Sequence, residues 1–356
     1  MAFQAVPGYG NLSTGGFSPI IYSKKVQLAF RKSSVAQAIT NTDYLGEISS
    51  FGDSVKIVRE PEVTVRSYAR GTQVQAQDLD DSDFTLVVDQ ANYFAFKLDD
   101  IEAAHSHLNW MAMATDRAGY RLKDQYDAEV LGYMSGYRQT NVSDPANAVN
   151  TTVNGTRAVP TAGTDELLST MKLIKGSFSN ITTASAGDHS VPITPRLPGT
   201  TALPTDRISP LQAISRMGRL LDSQNVDTDG RWLVLDPIFI EMLKDEDSRL
   251  LNADFGGSGL QNGLVLNNLH GFRIYASNNL PRLGTGPGTA GVANQNANFG
   301  VIVAGHDSAV AAAEQINKTE TYRDPESFAD ICRGMHLYGR KILRPEAIVT
   351  LKYNVA

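Results

Sequence analysis

An α+β fold built around one long helix is what the sequence predicts, and three observations predict it. Residues 99–137 place Ile101, Ala104, Leu108, Met111, Thr115, Ala118, Leu122, Tyr126, Val130, Tyr133 and Tyr137 at steps of three and four, the one-sided stripe of an α-helix. Residues 53–100 alternate apolar and polar side chains in strand fashion on both sides of a polar stretch. Residues 206–318 interleave short apolar runs with amphipathic segments, the pattern of a sheet flanked by helices.

Composition sets the limits. A chain of 356 residues, 42% hydrophobic and 20% charged, can bury a large core and divides into about two or three subdomains. A formal net charge of -6 implies no chain-wide attraction to nucleic acid or anionic lipid. Cys332 is the single cysteine, which excludes an internal disulfide framework and a multi-cysteine metal site. The opening MAFQAVPGYGNLSTGG lacks the basic and apolar regions of a signal peptide, and no apolar run approaches bilayer-spanning length. A cytoplasm-like compartment and no membrane partner are therefore expected.

In chain order, residues 1–42 hold no acidic side chain but carry Lys24, Lys25, Arg31 and Lys32. This reads as a frayed terminus or as a basic contact arm, and the apolar content of FSPIIYSKKVQLAF favours contact. DSVKIVREPEVTVRSY alternates at Val55/Ile57 and Val63/Val65, with Pro61 as a kink between them. DFTLVVDQANYFAFKLDD alternates at Phe84, Leu86 and Val88, then at Phe94, Phe96 and Leu98. Two long strands joined by a polar tip are expected. A two-stranded ribbon is marginal alone, so either this chain folds back over it or a neighbouring copy covers it.

The helix over Asp99–Tyr137 has Asp99 as its cap, Glu102 in the capping-box position and no proline, and would run roughly 55 Å. Alanine, threonine and tyrosine fill too many stripe positions for a coiled-coil seam, so the helix reads as a spine packed along a sheet. From Thr140 to Thr205 the chain is rich in Ser, Thr, Ala, Gly and Asn, with one helical candidate, DELLSTMKLIKGSF. Pro192, Pro195, Pro198 and Pro204 stiffen the connector that follows.

Ser209-Pro210 opens a helix buried through Leu211, Ile214, Met217 and Leu221. Arg231-Trp232-Leu233-Val234-Leu235 fits a central strand, and a helix follows through Phe239, Met242 and Leu243. Further strands are expected at 271–275 and Phe299–Ala304, and an alanine-rich helix at Ser308–Ile316. The closing run TETYRDPESFADICRGMHLYGRKILRPEAIVTLKY offers strand, short helix and strand, with Met335, Leu337, Ile342 and Leu343 placed to pack under the spine.

Two groups of residues carry a family resemblance. One is Asp89-Gln90 with Tyr93-Phe94-x-Phe96-Lys97-x-Asp99-Asp100, leading without a break into the spine. The other is the closing set Arg323-Asp324-Pro325, Phe328, Arg333-Gly334, Tyr338-Gly339 and Arg344-Pro345. In this order, after a basic arm and a long hairpin, they resemble the major capsid proteins of tailed double-stranded DNA bacteriophages, podophage-type members in particular. The resemblance implies an N-terminal arm at 1–50, an E-loop hairpin at 51–100, a P-domain spine helix at 101–140 and a variable connector at 141–205. It also implies an A-domain at 206–318 and closing P-domain strands at 319–356.

Catalytic alternatives are weak on the same residues. His105 and His107 project about 200° apart on a helix and cannot share a metal. Asp78, Asp80, Asp81 and Asp83 lack the glycine and glutamate of a calcium loop. Gly256-Gly257-Ser258-Gly259-Leu260 departs from the nucleophile elbow at its fifth residue, and no GxxxxGK[ST] loop occurs. His270, His306 and Cys332 have no context that makes a triad, and His306 reads as a strand end.

The expectation is a shell subunit with no enzymatic activity, cofactor or metal, assembled in a host cytoplasm and resident in the virion. Its partners would be further copies of itself in hexamers and pentamers, a separate scaffolding protein, a portal, and enclosed double-stranded DNA held weakly and without specificity. Assembly contacts are expected at Lys24, Lys25, Arg31, Lys32, Arg59, Val63, Val65, Arg66, Tyr68, Arg70, Phe84, Arg323 and Arg344. Residues 69–82 hold Arg70 and three glutamines but no lysine, so an isopeptide cross-link from the tip is not expected. An encapsulin-like compartment shell and a soluble hydrolase are the rival readings.

Overall fold

The computed structural model describes residues 34–43, 54–58, 63–71, 73–74, 76–78, 83–101, 110–136, 167–179, 181, 191–195, 206–244, 268–281 and 299–355. The chain enters through a short helix, α1 (Ala36–Ile39). β1 (Ser54–Val58) and β2 (Asp83–Val87) then form an antiparallel ribbon with Ile57 opposite Phe84. The expected second long strand of the hairpin is divided at Val88 and Asp89. β2 stays in the ribbon, whereas β3 (Gln90–Asp99) leaves it for another sheet.

The spine follows as α2 (Trp110–Ser135). Asp99 accepts from the Ile101 amide at 2.9 Å, and residues 102–109, through which the expected helix would run on into α2, lie outside the described residues. The predicted stripe is the inner face: Met111, Thr115, Ala118 and Leu122 are half-buried, and Tyr126 and Val130 fully so. The helical candidate at 165–178 is instead two single turns, Ser169–Met171 and Lys175–Ser177, on either side of β4 (Lys172–Leu173). β4 pairs with a strand far along the chain, and that sheet contact overrides local helix propensity.

β5 (Val191–Ile193), α3 (Pro210–Ser223), β6 (Arg231–Leu235) and α4 (Pro237–Leu243) come next. Ser209 Oγ caps α3 through the Gln212 amide, and Asp236 caps α4 through the Phe239 amide. β7 (Asn268–Leu269) and β8 (Phe272–Ala276) precede β9 (Phe299–His306), β10 (Val310–Arg323), β11 (Ala329–Ile342) and β12 (Ile348–Val355). The alanine-rich helix expected at 308–316 is the start of β10. Its small side chains are there because Leu86 and Val88 press on Ala311 and Ala313 while Asn41 bridges Ala311 from the edge. The boundary expected between residues 318 and 319 thus falls inside one strand.

Two larger sheets result. The first has the order β10-β11-β3, and the second β4-β12-β9-β6-β8-β7, with β5 also on β12. The second is covered on both faces. Leu233, Leu235, Ile302, Leu351 and Tyr353 face α3 and α4, while Trp232, Val234, Val301, Val303 and Ile348 face the C-terminal half of α2 and α1. β6 is buried along its whole length, as its apolar run required.

The first sheet carries α2 on one face only. Cys332, His336 and Tyr338 of β11 lie beneath the helix, with the Tyr126 ring edge-on to both His336 and Tyr338. Met335 and Leu337 have the opposite parity and point away from the spine, which corrects the expectation for that pair. Ile342 does join the cluster against the spine, and Leu343 joins Leu337 against β2.

Gly334 and Gly339 are forced by close approach. A Cβ at Gly334 would enter the Phe94 ring, and one at Gly339 would strike the Val87 carbonyl. The Gly334→Ala chain should therefore lose about 1–3 kcal/mol in urea unfolding, and in a Phe94→Ala background the same change should cost much less.

The three blocks are tied at one carboxylate. Asp127 of α2 is fully buried, and its Oδ1 accepts from the amides of Val35 and Ala36, each at 2.7 Å. Its Oδ2 accepts from Asn279 Nδ2 at 2.8 Å, just past β8. Asp127→Ala would orphan these donors, so a loss of about 3 kcal/mol or more is expected in urea unfolding of the unassembled chain.

Candidate assembly surface

The β1–β2 ribbon is covered at its base and bare beyond it. Leu86 and Val88 are buried against Ala311 and Ala313, with Val55, Ile57, Leu337 and Leu343 packed around them. β2 therefore lies on the face of the first sheet opposite α2, backed by the contact at Gly339. The chain does fold back over this part, one of the two possibilities that the sequence left open.

Further out, every described residue from 63 to 78 is exposed. Val65 is 94% exposed and Val74 79%, with Val63 and Tyr68 close behind. Arg66 and Arg70 share that stretch, and the Thr64 amide donates to Gln77 Oε1 at 3.1 Å, holding its two limbs together. Apolar side chains so displayed, alongside guanidinium groups, are a feature that interaction surfaces share.

A second bare surface lies on the open face of the β10-β11-β3 sheet. Tyr93 is 80% exposed opposite Met335, and Tyr322 stands nearby beneath the Arg333 guanidinium at 4.9 Å. Alternation in the sequence marks Phe94, Phe96 and Leu98, and Met335 was expected under the spine. The signal that places Tyr93 and Met335 here is their opposite parity to Phe94 and to His336.

At the far end of this sheet the two resemblance-bearing motifs meet. Arg323 donates to both oxygens of Asp100 and, at 3.3 Å, to Asp330. Lys97 reaches Asp324 at 2.8 Å, and Ser327 Oγ donates to the same carboxylate at 2.5 Å. The Lys97 and Ser327 bonds hold the Asp324 carboxyl well below the ordinary carboxylate range, and the Arg323 bond lowers that of Asp100. Arg323 is thus engaged within its own chain. Phe328 projects from the intervening turn, and its carbonyl accepts from the Asp100 amide at 3.1 Å.

The other expected contact residues divide in two. Arg344 is exposed beside the turn at Pro345–Ala347, and Phe84 sits in β2 opposite Ile57. Lys24, Lys25, Arg31, Lys32 and Arg59 lie outside the described residues, as do His105, His107, Asp80, Asp81 and the loop at 256–260.

The remaining catalytic candidates are dispersed. His270 occupies the β7–β8 turn and Cys332 is buried in the other sheet. His306 ends β9 as expected, its ring nitrogens bonded to Ser308 Oγ and the Asp229 carbonyl, each at 2.8 Å. Among the described residues no group of His, Cys, Asp and Glu could hold a metal, and no helix is long and apolar enough to cross a membrane.

Comparison with known proteins assigns the fold. No protein-family model matches the chain, and no curated protein does. Solved structures match over nearly its whole length. A chain of Mycobacterium phage Che8 is 23% identical and aligns over 95% of this chain and 98% of its own, with a TM-score of 0.66. The capsid of Cyanophage P-SCSP1u is 18% identical, over 96% and 94%, with a TM-score of 0.62. The capsid of an empty GTA particle is 14% identical, over 99% and 100%, with a TM-score of 0.58. The fold is that of phage capsid subunits.

Within this capsid fold, a polar layer separates spine from sheet. Glu129 accepts from the Tyr338 hydroxyl and from Gln125 at 2.6 Å, and Arg340 lies 3.6 Å away, over the Tyr133 ring. Glu314 of β10 faces buried His336 of β11 at 3.5 Å, with Gln37 of α1 at the same distance and Lys123 of α2 contributing its charge. The His336 bond holds the Glu314 carboxyl below its ordinary value of 4.5, with the Gln37 bond adding to it. A depressed carboxyl contributes stability that is complete above its unfolded pKa and is lost as pH falls through its folded one. Glu314→Gln should therefore lower the melting temperature at pH 7, with the deficit shrinking as pH falls below about 4.5, as calorimetry across pH would read.

Proposed function

We propose that this chain is the structural subunit of an icosahedral shell that encloses a double-stranded DNA phage genome. One observation carries the reading: the ribbon is pinned at its base to its own sheet, while its outer part displays Val63, Val65, Tyr68 and Val74 to solvent. A monomer gains nothing by holding apolar side chains away from its core, whereas a lattice of identical subunits covers them. The named capsids and capsid particles with this fold support the reading.

Assembly is the mechanism. The outer ribbon of one copy lies on a neighbour, burying apolar surface, and Arg59, Arg66 and Arg70 meet carboxylates across the seam. Each seam is weak, but contacts within a closed shell become effectively intramolecular once the first are made. Hexamers and pentamers, a separate scaffolding protein and a portal complete the assembly, which takes place in the host cytoplasm and ends in the virion. The acidic chain, with net charge -6, leaves packaged DNA loosely held.

Negative-stain microscopy of the purified chain tests this. Closed shells are expected from the unsubstituted protein. The Val65→Asp/Tyr68→Asp double variant should give none, with its circular dichroism unchanged because both positions touch solvent. Normal shells from that variant would overturn the role of the ribbon.

A further inference from the structure

The turn between β10 and β11 is braced from within. The Asp324 amide donates to the Ala329 carbonyl at 2.9 Å, and the Asp324 carboxylate accepts from the Glu326 amide at 3.1 Å as well as from Lys97 and Ser327. The Asp100 amide holds the Phe328 carbonyl. On this framework the Phe328 side chain is 80% exposed. A bare aromatic ring on a turn that is already ordered loses little further freedom on docking, which is the condition for an interface anchor.

An apolar hollow lies at the same end of the sheet. Among the described residues Phe96 and Leu98 of β3 form one wall and Trp110, Met111 and Ala114 of α2 the other, with Lys97 at the rim and a volume of about 410 Å³. Trp110 is 47% exposed there. Phe328 adjoins Ala329, which pairs with Asp99, one residue past Leu98. Its exposure shows that the ring does not enter the hollow of its own chain, and its bonded turn keeps it out. Each copy therefore carries a projecting ring and an unfilled hollow side by side, the two halves of a self-complementary contact.

Charges complete the match. Among the described residues the Glu326 carboxylate has no hydrogen-bond or ion-pair partner, and only its amide is engaged. On α2 the half-buried Arg117 guanidinium rests over the Tyr120 ring at 5.0 Å and meets no carboxylate among the described residues, with Nη1 left unbonded. Arg117 follows Ala114 by about 4.5 Å along the same strip of the helix. Glu326 stands within about 7 Å of Phe328 along the chain. A Phe328 ring seated beside Ala114 of a second copy thus brings Glu326 within reach of that copy's Arg117, and the opposite charges favour the docking.

We propose that two copies of this chain meet about a two-fold axis at this sheet end, each seating its Phe328 in the hollow between Leu98, Trp110 and Ala114 of the other, with Glu326 of each facing Arg117 of the other. The assignment rests on the shell reading and names a contact distinct from the ribbon seam. Because ring and hollow belong to the same surface, the contact closes at two molecules.

Disulfide trapping tests it. The full-length Phe328→Cys/Ala114→Cys variant is assembled under mild oxidation, with Phe328→Cys/Trp110→Cys as a second position in the hollow. The expected product is a band of twice the chain mass, at which the series stops, and which neither single substitution gives alone. A ladder of higher multiples would make the contact head-to-tail and overturn the two-fold pairing, and an intrachain disulfide would return the ring to its own hollow. Shells without the band from either position would overturn the contact while leaving the shell reading intact. Acrylamide quenching of the unsubstituted protein gives a second readout: of the two tryptophans Trp232 is fully buried, so quenching reports Trp110 and should fall on assembly. Equal quenching in shells and in the unassembled chain would overturn the contact as well. Failure of the unsubstituted chain to form shells would remove both readings.

Discussion

A single buried carboxylate organises this fold. Asp127 of the spine helix sits where the incoming chain and the loop after β8 converge on it, and it accepts bonds from both. A charge so deeply buried is tolerable only when fully bonded, and the bonds here come from backbone amides and an amide side chain held by packed elements. Its effect is geometric. The spine is fixed in rotation, so Val130 and Met134 face the second sheet while Tyr126, Glu129 and Tyr133 reach the first.

The two sheets then play unequal parts. One is enclosed by helices on both faces and supplies most of the buried apolar surface. The other is shielded by the spine on one side and bears the ribbon on its other side, with much of that face left open around Tyr93 and Met335. The polar layer of Glu129, Glu314, His336, Tyr338 and Arg340 joins spine to open sheet through directional bonds, which fixes register more than it adds stability.

Much of this was legible in the residues. The stripe through Tyr126 and Val130, the Ser209 cap and the buried run of β6 all follow from local periodicity and end chemistry. What failed was read locally but decided at a distance. The alanines of β10 look helical, yet they are small because Leu86 and Val88 need the space. The run 165–178 has helical spacing, yet β12 draws Lys172–Leu173 into a sheet. The ribbon looked like one hairpin because nothing at Val88–Asp89 announces a change of sheet. Of the exposed outer ribbon, Val63 and Val65 were visible in alternation, whereas Asp127, Glu314 and His336, inside the subunit, carried no pattern of their own.

The clamp at Gly339 has a further consequence. Because β2 rests its main chain directly on β11 there, with no side chain between them, the ribbon has little freedom to pivot. From that fulcrum to Arg70 the chain reaches at most roughly 60 Å, so a tilt of about 5° would carry the tip about 5 Å, well beyond the tolerance of van der Waals contact. On the proposed shell reading, the angle at which one molecule meets the next is set by this backbone-on-backbone fit in the body of the subunit, and not at the exposed end of the ribbon.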